Sequence, residues 1–390
     1  MHDIAIIGAG PYGLSIAAHL TQSGRRFRIF GAPMQTWRER MPAGMRLKSD
    51  GFASTLYDPS GEFPFSRFCR DRGIPYSPLG LPVELQAFCD YGLEFQRRFV
   101  PMLEPTSVES VNYSRLGFEL ELSNGEKAVF RNVICAVGVM PYARIAPQAL
   151  EGLPSSQLSH SSDYGDLSRF AGKTVAVIGG GSSATDCAAL LAQAGATAHL
   201  LTRRAYFIFN DPPRPQTPME RVRFPVTTIG RGWRSLLCER APLLFHAMPE
   251  KFRVTVIQRH LGPSPCWFMR DAVESLVITH FNTQVTAASV CDGKVALTIT
   301  EQGAPAALEV DHVIAATGYK VDLSRLTFLG AKLRQEIELV DQAPVLNRNF
   351  ESSLRGLYFV GPSSAIAFGP LVRFACGAEF TSRRLARRLI

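Results

Sequence analysis

Residues 3–13 read Asp3-Ile-Ala-Ile-Ile-Gly-Ala-Gly-Pro-Tyr-Gly13. Residues 4–7 form a short apolar run, right for a strand buried on both faces. Gly8, Gly10 and Gly13 then give G-x-G-x-x-G, and the alanine- and leucine-rich residues 14–20 read as the following helix. In such a unit Gly8 makes the tight turn and Gly10 lets the backbone approach a pyrophosphate. Gly13 lets helix and strand pack closely. Pro11, between the second and third glycines, is a candidate cofactor contact with them. The free N–H groups and the positive dipole end then face the phosphates. Because it lies between a strand and a helix, this stretch predicts a dinucleotide site.

The pattern restarts at residues 174–184, Thr-Val-Ala-Val-Ile-Gly-Gly-Gly-Ser-Ser-Ala. Gly179, Gly181 and Ala184 give G-x-G-x-x-A, and Ser182 and Ser183 open the second helix. Each turn is followed by a second strand, 27–30 in the first half and 199–202 in the second. Each half then continues into an expected three-strand meander: 109–113, 118–122 and 128–136, then 284–290, 294–300 and 307–316. Asn124-Gly125 supplies a hairpin turn in the first meander. The first meander closes at Gly138 and the second at Thr317-Gly318-Tyr319. This internal repeat predicts an α/β chain of two Rossmann-like, three-layer domains, the second inserted in the first, each with a small β-meander. The expected division is 1–150 plus 310–390 for the first domain and 151–309 for the second.

The second strand of each unit usually ends in an acid that holds the adenosine ribose. The first unit has Gly31 there, leaving the ribose to backbone or to neighbours such as Gln35 and Arg38. The second has Arg203 and Arg204, which suit a 2′-phosphate and predict NADPH. Residues 36–50 read as a loop-rich segment able to cover a cofactor, with Trp37, Arg38 and Lys48 as contacts. Near the C-terminus, 356–361 reads as a strand closing in Gly361. Phe368-Gly369-Pro370 is expected to open a final helix whose positive end faces the cofactor ring.

The composition is 46% hydrophobic and 19% charged, which marks a globular chain. No apolar run is long enough for a transmembrane helix. The N-terminus lacks the basic start of a signal peptide, so the cytoplasm is expected. The eight cysteines are scattered without C-x-x-C, so neither a dithiol nor a metal cluster is expected. The formal charge of +8 carries no nucleic-acid motif. Residues 205–274 form an insertion rich in proline, arginine and aromatics, with five readings: a lid, a substrate-pocket wall, a homodimer contact, a membrane-surface patch or an extra helical layer. Its aromatics point to an apolar or aromatic small-molecule substrate.

Taken together, these motifs resemble the flavoproteins with two dinucleotide-binding domains, over nearly the whole chain. Ala316-Thr317-Gly318-Tyr319, His160 with Tyr164, and Leu47-Lys48-Ser49-Asp50 followed by Asp58-Pro59 are similar to segments of flavin-containing and N-hydroxylating monooxygenases. The F-x-G portion expected before His160 is replaced by Pro154 and Ser156. The resemblance implies FAD in the first site and NADPH in the second. It also implies insertion of one atom of molecular oxygen into a small organic substrate through a C4a-hydroperoxyflavin. Lys48 and Asp50 are then the catalytic candidates, and His160 and Tyr164 position the linker. The alternative is an FAD-dependent oxidoreductase passing electrons to a quinone or protein.

Overall fold

The computed structural model describes residues 2–214, 216–260 and 264–389. The chain opens with strand β1 (His2–Ile7), helix α1 (Pro11–Gln22) and strand β2 (Phe27–Phe30). Helix α2 (Leu85–Phe99) and strands β3 (Val108–Ser114), β4 (Gly117–Leu122) and β5 (Lys127–Cys135) follow. They build one sheet in the order β2-β1-β5-β4-β3. β5 belongs to both the meander and the parallel sheet. Its first part pairs antiparallel with β4, and its last residues, Val133 to Cys135, run parallel to β1.

The second unit comprises β6 (Leu158–His160), β7 (Thr174–Ile178), α3 (Ser182–Gln193), β8 (Thr197–Leu201) and β9 (Ile278–His280). It continues with β10 (Thr283–Cys291), β11 (Lys294–Glu301), β12 (Ala304–Val310) and β13 (His312–Ala315). Its parallel sheet has the order β9-β8-β7-β13-β6. Alternate residues of β7 feed two cores. Val175 and Val177 pack with Ala184 and Leu191 of α3, while Ala176 and Ile178 pack with Val285, Val295 and Leu297 of the meander.

One expectation needs correction here. The stretch 307–316 is not one strand, because Asp311 divides it. The Asp311 side chain accepts from the Thr174 N–H at 2.7 Å, and its own N–H donates to the Thr174 carbonyl at 2.8 Å. The chain thereby leaves the separate antiparallel sheet β10-β11-β12 and enters the parallel one. The last strand of the second sheet accordingly runs over His312–Ala315.

After β13 the chain returns to the first unit, where β14 (Leu357–Phe359) pairs parallel with β5. The last helix, α4 (Ala378–Leu389), packs on α1. It does not begin at Pro370, as the sequence suggested. Two short 3-10 turns, Pro370–Arg373 and Ala375–Gly377, come first, separated by an extended Phe374.

The insertion is a helical layer around Pro218–Arg223, Trp233–Arg240, Pro242–His246 and Glu250–Arg259. Its residues 215 and 261–263 lie outside the described residues. Arg253 donates to the Ile366 carbonyl at 3.1 Å, and the His246 ring lies 3.0 Å from the Leu346 carbonyl. These contacts fasten the layer to the C-terminal segment. Among the described residues no helix is long and apolar enough to cross a membrane.

Candidate active site

In the first turn, Gly8 has φ +109°, and a Cβ there would lie 2.4 Å from the Ala136 carbonyl oxygen. A Cβ on Gly13 would lie 1.9 Å from the Gly8 oxygen. Gly10 differs, since a Cβ there would meet nothing within 4 Å. The protein does not use that space, so it is left for a ligand that approaches the backbone. Gly10 is also the N-cap of α1 and offers no side-chain acceptor, so the first N–H groups of the helix remain available to phosphate oxygens. Both features fit a pyrophosphate.

The second turn repeats this geometry. A Cβ on Gly179 would lie 2.4 Å from the Ala316 oxygen, as Gly8 stands to Ala136, and 2.9 Å from the Ala184 Cβ. Gly181 caps α3 without a side-chain bond. A Cβ on Gly180 would come 3.1 Å from Arg204 Nε, so the Arg204 side chain lies over this turn, while Arg203 is exposed. Of the first-turn helix, Pro11 is buried at N1. Of the second, Ser183 is exposed and Ser182 faces inward.

The second turn meets the 41–50 loop of the first unit at Lys48. Its Nζ donates to the Ser264 carbonyl oxygen at 2.8 Å, and Ser182 Oγ donates to the same oxygen at 2.5 Å. Three parts of the chain thus join at one atom: the 41–50 loop, the N-terminus of α3 and the end of the insertion. Asp186, one turn along α3 from Ser182, completes the cluster. Burial raises its carboxyl to about 7, against a bond from Thr185 and the charge of Lys48. Burial also lowers Lys48, offset by Cys266 and Asp186. Cys266 is pushed up to about 11, chiefly by burial. Asp186 escaped the sequence reading. Its signal was a lone acid in an otherwise apolar and small-residue helix, four positions after Ser182.

Asp50 does not join this group. Its Oδ1 accepts from the Gly80 N–H at 3.4 Å, its main-chain oxygen accepts from Ser54 Oγ, and burial raises its carboxyl. Trp37 packs edge-on against Phe88 of α2, with centroids 4.8 Å apart, and Arg38 is exposed and donates to the Pro33 oxygen. Phe368 is fully buried in a stack with Phe350 at 4.0 Å, so it serves the core.

Gly361 (φ +70°) and Gly369 (φ +86°) shape the C-terminal return, and Pro370 is buried just after it. Tyr12 holds this segment to the first turn. Its hydroxyl lies 2.9 Å from the Val372 oxygen and 2.8 Å from the Phe374 oxygen, and its ring faces Gly361.

Gly138 (φ +71°) leads out of β5 toward the inter-domain crossing. Thr317 Oγ1 donates to the Arg144 oxygen, and the Arg144 N–H donates to Gly318 at 3.0 Å. His160 Nε2 lies 3.2 Å from the same Gly318 oxygen, and its ring meets the Tyr319 ring edge-on at 5.1 Å. Thr317, Gly318 and Tyr319 therefore bind the two inter-domain connections side by side.

The uncharacterized oxidoreductase CzcO of Bacillus velezensis is 24% identical over 93% of this chain and 92% of its own. A ferredoxin–NADP reductase of Ignicoccus hospitalis is 24% identical over 99% of both chains. In structure, the ornithine N-hydroxylase of Kutzneria sp. 744 superposes with a TM-score of 0.77 at 17% identity, covering 100% of this chain and 99% of that one. That likeness establishes the shared fold. The family model described as pyridine nucleotide-disulphide oxidoreductase matches residues 5–218. With two turns that fit FAD and NADPH and a family match across more than half its length, the chain belongs to the pyridine nucleotide-disulphide oxidoreductases and is a flavin-dependent oxidoreductase.

Proposed function

We propose that this enzyme is an NADPH-dependent monooxygenase acting on a small organic substrate that carries a soft nucleophile, an amine or a thioether. FAD bound at the first turn supplies hydride acceptance from NADPH and reaction of the reduced ring with oxygen. The observation that carries the reading is the meeting of three chain segments at Ser264. There the insertion is tied both to Lys48 of the first unit's loop and to Ser182 at the second turn. A cover supplied by the insertion over the bound cofactor would suit oxygen chemistry, which fails when water enters. A reductase that serves a protein acceptor needs an exposed flavin edge instead.

Disulfide chemistry is poorly served here. All eight cysteines are free, and Cys266, beside Lys48, has too high a pKa to be a ready thiolate. Lys48 orients the bound substrate or cofactor by charge, Asp186 sets the position and charge of Lys48, and the aromatic insertion excludes water.

The test is product analysis with a panel of amines and thioethers under NADPH and oxygen. An oxygenated product in step with NADPH consumption is expected. The Lys48→Met variant should form product roughly tenfold more slowly and release more hydrogen peroxide, since it loses positioning while the cofactor chemistry remains. Turnover with a quinone or ferredoxin but no oxygenated product from any of the panel would overturn the proposal.

A further inference from the structure

Helix α4 has two faces with opposite surroundings. Ala378, Thr381, Ser382, Leu385 and Ala386 are buried against the rest of the first domain. The other face presents Phe380, Arg383, Arg384, Arg387 and Arg388 to a cavity of about 610 Å³. The insertion supplies further lining through Glu239, Arg240 and Leu243. No residue of either glycine turn lines this cavity.

Its charge is unbalanced, with five arginines against two glutamates. Both glutamates are already engaged. Glu239 accepts from the Thr228 N–H at 2.5 Å and from its hydroxyl at 2.8 Å, and Glu379 pairs with Arg383 at 2.9 Å. Among the described residues, Arg384, Arg387 and Arg388 have no carboxylate within 4.0 Å. Arg384 donates through Nε to the Arg348 carbonyl oxygen. Burial, then the charges of Arg348 and Arg387, lower its guanidinium below the usual arginine range. Cations held this close repel one another until an anion joins them, and the guanidinium fork matches carboxylate and phosphate oxygens. The deeper lining is different in kind. Leu371 and Cys376 are buried there, packed with Ile229 and Phe380.

We propose that this cavity binds a small amphipathic oxyanion, a carboxylate or phosphate head on an apolar body. Arg384, Arg387 and Arg388 take the head, and Leu371 and Phe380 take the body. The volume suits a ligand of that size. The site is separate from both dinucleotide turns and does not depend on the oxygenation chemistry.

The test is calorimetric titration of the FAD-loaded protein with decyl phosphate and with decanoate, below their micelle concentrations. Saturable one-to-one binding of either probe is expected, and the tighter of the two identifies the head group. Arg387→Gln should weaken binding about fivefold or more, because a charge-assisted contact is lost. Arg115→Gln, at an exposed position on a strand connection of the first meander, should leave binding unchanged. Decanol and inorganic phosphate should each bind about tenfold more weakly, since each lacks one of the two contacts. No saturable heat, equal loss in both variants, inorganic phosphate binding as tightly as decyl phosphate, or displacement of the probe by NADP+ would each overturn the proposal.

Discussion

Gly10 and Gly13 stand three residues apart and answer to different constraints. A methyl at Gly13 runs into the Gly8 oxygen, whereas a methyl at Gly10 enters open space. Gly13→Ala should therefore cost the fold about 3 kcal/mol through overpacking, read as a loss of denaturant midpoint in the apoprotein. Gly10→Ala should leave apoprotein stability within about 0.5 kcal/mol and weaken FAD binding about tenfold. Equal destabilisation of the apoprotein by both would contradict the assignment of that space to the cofactor. Asp186 gives a second residue-scale prediction. Its carboxyl is raised from 3.8 to about 7 in the folded protein. A raised acid binds more protons folded than unfolded, so its contribution to stability is fully present below pH 3.8 and is lost as pH rises toward 7. Asp186→Asn removes that loss. The melting temperature of the variant relative to the native protein should climb across this window and level off above it. A difference that stays flat with pH would show that Asp186 is not held in this way.

At the scale of elements, the sequence displayed the strands and helices that obey local rules. The apolar runs of β1 and β7, the glycine turns and the Asn124-Gly125 hairpin all depend on residues within a few positions of each other. Asp311 was opaque because its role, exchanging bonds with Thr174, depends on a partner 137 positions away. The break between Pro370 and Ala378 was hidden for the same reason. Tyr12 takes up the Val372 and Phe374 oxygens from the far end of the chain and so replaces helical bonding there. Tyr12→Phe keeps the ring against Gly361 and leaves two carbonyls without that donor. We expect a loss of about 2 kcal/mol in stability, measured by urea denaturation, together with weaker FAD retention. An unchanged midpoint would mean that water replaces the hydroxyl freely.

At the scale of the whole molecule, the internal repeat was legible and the meeting of its halves was not. Gly8 against Ala136 and Gly179 against Ala316 show one unit used twice. The repeat is incomplete, since the first meander is continuous with its parallel sheet and the second is detached from it. Lys48 could be singled out from its loop, but its partners Ser264, Asp186 and Cys266 come from two other parts of the chain. The insertion was visible as a change in composition. Its hold on both the C-terminal segment and the junction at Ser264 is a product of tertiary packing. It still leaves Trp233 and Phe224 about half exposed, at 55% and 49%, so its outer surface is only partly used by the fold.

The proposed function is oxygen transfer to a small organic substrate. It is tested most directly by loading the protein with FAD, reducing it with NADPH without oxygen, and mixing it with oxygenated buffer in a stopped-flow spectrophotometer. A transient absorbance, distinct from both reduced and oxidised flavin, is expected to persist for seconds before the oxidised spectrum returns. Direct return of the oxidised spectrum with release of peroxide, and rapid turnover with an artificial electron acceptor, would contradict it.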